Sequence, residues 1–242
     1  MKRNSRKKKG FIILLVFAIA SFLAVSALLS PLFAIRQIEI VGNSTISSEE
    51  ILERARLETG QNMLAFNAGT VHSQINQLPF VQNVSIVREF PDKVIITVSE
   101  RTPIANIRVA HSATYLLIDH VGMVLESNSA PVPALPVAIG IDFESFTVGE
   151  YLQVENSLIF RDMLRLYRLF ARYDFFPDTV DMSNPADIVF QTEMLNIFFG
   201  SMSDMDRKVQ YLSAIKEQWT PEARGFIEIR DINERPIFGL IR

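Results

Sequence analysis

There is no cysteine among the 242 residues, which excludes disulfide frameworks, thiolate zinc sites and a cysteine nucleophile together. Only three histidines occur, His72, His111 and His120, and no two stand at metal-ligand spacing. The chain has no Gly-x-Ser-x-Gly, no His-Glu-x-x-His and no glycine-rich phosphate loop, the arrangements that carry hydrolase, metalloprotease and nucleotide chemistry. Acid is missing from the first 38 residues, where Lys2, Arg3, Arg6, Lys7, Lys8 and Lys9 stand instead. Of the 24 basic residues those six precede everything else, leaving 18 against all 27 acids. So acidic a remainder is poorly suited to nucleic acid, whose binding rests on neutralising phosphates.

A charge-free run of 23 residues, FIILLVFAIASFLAVSALLSPLF, occupies positions 11–33. As a helix it would be about 35 Å long, enough for a hydrocarbon core of about 30 Å. A cleaved signal peptide has a shorter apolar region ending in small residues at the cleavage site. Here the run continues past Ala24-Val25-Ser26 through Leu28 and Leu29, and Pro31 obstructs cleavage after Ser30. The run therefore reads as one transmembrane helix. The cations before it orient the chain by the positive-inside bias, with a short cytoplasmic tail (1–10) and the rest outside.

Beyond the anchor the pattern becomes globular. Ile38 and Ile40 flank Glu39 in a short strand closed by Gly42-Asn43. Ser47 with Glu50 forms a capping box, Ile51, Leu52 and Ala55 lie on one face, and Gly60 is placed to end that helix. Val71, Ile75 and Leu78 follow helical spacing in a second helix that Pro79 stops. Val84 and Ile86, a turn at Pro91-Asp92, then Val94, Ile96 and Val98 make two alternating strands. The order strand, helix, helix, strand, strand predicts an α+β module whose helices cover one sheet face.

That order, the segments IRQIEIVGNSTISSEEIL and LPFVQNVSIVREFPDKVIITVSERTPIA, and the single anchor resemble the FtsQ/DivIB family of bacterial cell division proteins. The ending Glu100-Arg101-Thr102-Pro103 is among the recognisable marks. The resemblance is strongest over residues 35–105 and implies that 34–102 is a POTRA domain, followed by a second, β-rich domain over 103–242. Pro103 lacks a donor for a continuing ladder, and it holds Thr102 extended. Glu100, Arg101 and Pro103 thus read either as a solvated strand end or as an interdomain hinge.

In the second domain, residues 106–110 and 114–119 are expected to pair, followed by a turn at His120–Gly122 in which Asp119 and Gly122 serve backbone geometry. A helix near 158–173 aligns Arg161, Arg165, Arg168 and Arg172 in a stripe. It reads as a solvated face over a core of Ile159, Phe160, Met163, Leu166 and Phe170, or as an anion contact. Strands are expected near 188–192 and 195–200, then a helix marked by Met205, Val209, Leu212, Ile215 and Trp219 that Pro221 closes. In the last clear strand, GFIEIR, Ile227 and Ile229 share one face and Phe226, Glu228 and Arg230 the other; residues 236–242 could add one more.

Ser-x-x-Lys occurs at Ser5–Lys8 and Ser213–Lys216 without the companion motifs of penicillin-binding proteins, so no catalytic residue, cofactor or metal is assigned. The resemblance implies a non-catalytic membrane scaffold at the division septum. Its implied partners are FtsB/DivIC-like and FtsL-like membrane proteins, held at the last strands of the second domain, and the septal peptidoglycan synthesis machinery. Phe226, Glu228, Arg230, Asp231 and Ile232 are the expected partner-binding residues, through strand pairing. The alternatives are a POTRA protein of polypeptide transport or assembly and an exported cell-wall enzyme.

Overall fold

Ser47 begins the first helix as its sequence predicts, its hydroxyl accepting the amide proton of Glu50 at 3.1 Å. The computed structural model describes residues 13–22, 26, 30–193, 195–216, 224–234 and 236–240. The chain divides into two units between Glu100 and Arg101.

In the first unit, residues 13–22 are helical with exposed apolar side chains. Pro31–Phe33 is a single 3₁₀ turn capped by Ser30, so the helix anticipated through position 33 does not reach it. Ser30 is extended, and Pro31 opens the new turn. Among the described residues no helix is long and apolar enough to cross a membrane; part of the anticipated span lies outside them. The elements that follow are β1 (Gln37–Val41), α1 (Ser48–Ala55), α2 (Ala68–Ile75), β2 (Val81–Glu89) and β3 (Lys93–Glu100). The sheet order is β1-β3-β2, with β1 parallel and β2 antiparallel to β3. Ile51, Ala55, Val71 and Ile75 from the helices join Val84, Val94, Ile96 and Val98 from the sheet in one buried cluster. Each large aliphatic in it contributes about 1.5–3 kcal/mol on burial.

Two helix ends differ from expectation. Arg56, not Gly60, takes the left-handed conformation that terminates α1 (φ 51°), because the chain turns a helical turn early to bury Leu57 and Met63. The second helix closes at Ile75, ahead of Pro79, and starts at Asn67, whose side chain accepts from the amides of Gly69 and Thr70. Gly42 behaves as anticipated: at φ +88° a Cβ would lie 2.2 Å from the carbonyl oxygen of Val98.

The second unit contains β4 (Pro103–Arg108), β5 (Tyr115–Asp119), β6 (Val124–Asn128), β7 (Val137–Ile139), α3 (Ser157–Tyr173), β8 (Thr179–Asp181), β9 (Ile188–Gln191), β10 (Leu195–Gly200), α4 (Met205–Lys216), β11 (Gly225–Glu228) and β12 (Ile237–Leu240). The first strand begins at Pro103, not near Asn106. Pro103 stands opposite Asp119 beside a register shift, where a missing donor is tolerated. All nine strands form one sheet, ordered β12-β11-β10-β9-β8-β7-β4-β5-β6. Helices α3 and α4 bury Phe160, Met163, Leu166, Phe170, Val209 and Leu212 in the same cluster as the inner face of that sheet. Phe170 packs edge-on against Phe190 (5.4 Å between ring centres), and Phe190 continues to Phe199 at 4.5 Å. The expected end of the last helix, at Trp219 and Pro221, lies outside the described residues.

Candidate interaction surface

The end of the nine-stranded sheet carries the residues expected to bind a partner, but in an arrangement alternation alone did not reveal. β11 lies between β10, to which it is parallel, and β12, to which it is antiparallel. Both of its edges are therefore occupied, and among the described residues the sheet ends at β12 on this side and at β6 on the other. Phe226 faces Gly239 across the hairpin, where a Cβ would come within 2.2 Å of its ring. The same ring meets Phe198 edge-on at 5.9 Å. Ile227 and Ile229 are core.

The charged residues close a network beside this aromatic pair. Arg230 donates from Nε and one terminal nitrogen to the two carboxylate oxygens of Asp187 at 2.8 and 3.0 Å, and from the other to Glu228 at 2.5 Å. Its guanidinium also lies 4.8 Å from the centre of the Phe198 ring. Bonding to Asp187 and Glu228 raises the Arg230 pKa, and Arg230 in turn holds Asp187 below the ordinary carboxylate value. Asp231 accepts from the backbone and side-chain nitrogens of Asn233 at 2.9 and 3.0 Å, shaping the turn that contains half-buried Ile232. The five anticipated residues thus gather at the β11–β12 hairpin, where Phe226, Glu228, Arg230 and Asp231 make intramolecular contacts.

Sequence reasoning missed the residues on the free edge itself. Ile237 and Phe238 are 55% and 58% exposed. As neighbours in a strand they point to opposite faces, so β12 offers apolar surface on both faces of a strand that is paired, among the described residues, along one edge only. Pro236 directly before two large apolar residues was the available signal.

The residues at the junction are each bound within their own unit. In the first, Glu100 accepts from the backbone amides of Ser44 (2.8 Å), Thr45 (2.8 Å) and Ile46 (3.0 Å), and from the Ser44 hydroxyl (2.8 Å). Burial alone would raise its pKa, but these donors outweigh it and lower the value to about 2. In the second, Arg101 donates to Oδ2 of fully buried Asp119 at 2.8 Å, while Oδ1 accepts from the amides of Val121 and Met123. Gly122 sits in that turn at φ +85°, and a Cβ there would strike the Phe160 ring at 2.6 Å.

The remaining sequence candidates take structural positions. Ser213 donates its hydroxyl to the carbonyl of Tyr173, and Lys216 binds the carbonyl and carboxylate of Asp174. The Ser-x-x-Lys pair thereby closes the C-terminus of α3, where such donors are needed. The described histidines, aspartates and glutamates form no group able to hold a metal. Arg161, Arg165, Arg168 and Arg172 are all exposed along α3.

Residues 33–101 match the model of the POTRA domain, FtsQ-type. The cell division protein DivIB of Clostridium botulinum strain Hall is 23% identical over 243 residues, covering 98% of this chain and 93% of that protein. DivIB of Clostridium tetani is 24% identical over 205 residues, 82% of this chain and 77% of its own length. The cell division protein FtsQ of Syntrophotalea carbinolica is 28% identical over 160 residues, 65% of this chain and 56% of that protein.

Proposed function

Because the chain belongs to the FtsQ/DivIB family of cell division proteins, we propose that it is a non-catalytic scaffold of the bacterial division complex. It is anchored by residues 11–33 with its N-terminus in the cytoplasm and both folded units outside. Its partners are other membrane division proteins, of the FtsB/DivIC and FtsL kinds, and through them the septal peptidoglycan synthesis machinery. The observation that carries this reading is the free edge of β12, with Ile237 and Phe238 exposed on either side.

A strand added to that edge would draw affinity from backbone hydrogen bonds and specificity from alternating side chains. Arg230, two residues beyond β11, would act as a brace by tying the end of that strand to Asp187. A free apolar edge is an aggregation liability that proteins ordinarily blunt, and its presence here favours an interaction role over a purely structural one. The involvement of Ser213 and Lys216 in closing α3 supports the non-catalytic reading.

The test is a fluorescent fusion placed before Met1, followed while the untagged copy is depleted. A mid-cell band, with filamentous or undivided cells on depletion, is the expected result. Uniform membrane fluorescence with normal division would overturn it.

A further inference from the structure

The uncharged run 11–33 ends inside the folded first unit. The carbonyl of Phe33, its last residue, accepts the amide of Met63 at 2.8 Å. The next residues continue the attachment. Ala34 bridges to Asn62, Ile35 donates to Gln61 and accepts from Gly60, and Arg36 donates to the carbonyl of Asp92. No flexible residue separates the end of the run from the domain, so whatever surface holds the run must also lie against this end of the POTRA module.

That end is unusually apolar for a hairpin turn and a loop. Phe33 meets Phe90 edge-on at 6.2 Å. Phe90, in the β2–β3 turn, is 58% exposed, Leu32 is 58% exposed and Leu64 is 39% exposed. All three surround the Phe33 attachment. The loop bearing Leu64 is stiffened from beneath. Arg88 donates to the carbonyls of Met63 and Phe66 at 3.0 and 2.6 Å and lies 4.3 Å from the centre of the Phe66 ring. Asn62 accepts the amide of Leu64 at 2.8 Å.

Charge at the turn is arranged to match. The acids beside Phe90 are each paired with a cation, Asp92 with Arg36 at 3.6 Å and Glu89 with Lys93 at 3.3 Å; Lys93 also meets Glu39 at 2.7 Å. Unpaired carboxylates at that position would resist an approach to anionic headgroups and to low dielectric. The turn, its acids each facing a cation and its tip an exposed aromatic, suits the interfacial region, where amphipathic and aromatic groups settle.

We propose that the POTRA unit rests on the outer surface of the bilayer, with Leu32, Leu64 and the ring of Phe90 seated at the lipid–water interface. The domain is then docked at a fixed height and tilt, and the anchor is more than a tether. This rests on the reading of residues 11–33 as a membrane span, and the experiment separates the two.

Full-length protein is placed in vesicles of mixed zwitterionic and anionic lipid, with Trp219→Phe removing the natural tryptophan. Single tryptophans are then introduced as Phe90→Trp, Leu64→Trp, Phe17→Trp and Val41→Trp, and quenching by lipids brominated at different depths is read. Val41 is the control. It lies four residues along β1 from Gln37, about 13 Å from the end that pairs with Lys93 beside the turn. The expected result is loss of emission at Phe17→Trp with deep bromines and at Phe90→Trp and Leu64→Trp with shallow ones, and none at Val41→Trp. Quenching at position 17 without quenching at 90 and 64 leaves the span intact and overturns the docking. Quenching at none of the four overturns the span and the docking together. Equal quenching at 41 and 90 overturns the assignment to this face. The Leu64→Trp protein keeps the test decisive if Phe90→Trp does not fold.

Discussion

Replacing Glu100 with glutamine should loosen the loop after β1 by a predictable amount and only above acid pH. The carboxylate gathers three consecutive backbone amides and a hydroxyl, with its pKa lowered from an ordinary 4.5 to about 2. A depression of that size would be worth about 3 kcal/mol in a dry site. Solvent reaches this one, which brings its contribution to about 1–2 kcal/mol. Since the folded-state value is the lower one, the stabilisation is complete above the unfolded-chain value near 4.5 and is lost as pH falls toward 2. Hydrogen exchange at the amides of Ser44, Thr45 and Ile46 reads the effect locally in the intact chain. At pH 7, Glu100→Gln should reduce their protection by roughly 5–30-fold, and the gap should narrow on acidification across that window. Unchanged protection at pH 7, or a gap of the same size at pH 2.5 as at pH 7, would refute the reasoning.

Three further substitutions probe the second unit through its thermal transition. Gly122→Ala forces a Cβ into the Phe160 ring at a left-handed position and should cost about 2–3 kcal/mol; a melting temperature equal to wild type would contradict this. Arg101→Met leaves the buried Asp119 carboxylate with two backbone donors and no counter-charge, a loss of about 3 kcal/mol at neutral pH. Tyr167→Phe removes a buried hydroxyl that has no hydrogen-bond partner among the described residues. Relieving that desolvation should leave stability unchanged or raise it by about 1 kcal/mol, and a marked loss would mean the hydroxyl is satisfied.

Where a structural cause is local, the sequence already expresses it. Ser47 caps its helix, Val94, Ile96 and Val98 all turn inward, and Gly42 and Gly122 stand where a side chain does not fit. β7 and β8, three residues each, are too short for alternation to register. The pairing of β4 with β7 and of β10 with β11 joins strands distant in sequence, and nothing in a local window encodes it. The same limit applies to the interaction surface. Alternation separated Phe226 from the core isoleucines, yet it carries no information on which strand is last in a sheet. An exposed Phe238 and a buried Phe199 look alike as letters; what separates them is that β10 has neighbours on both sides and β12 on one.

The central claim is that partners are held by the edge of β12. The most direct measurement places a photo-crosslinking amino acid at Ile237 or Phe238 of the full-length protein in dividing cells. Covalent capture of another membrane division protein from these positions, and none from position 41, is the predicted result. Cells that divide normally on the crosslinker-bearing copy while β12 captures nothing would contradict the account.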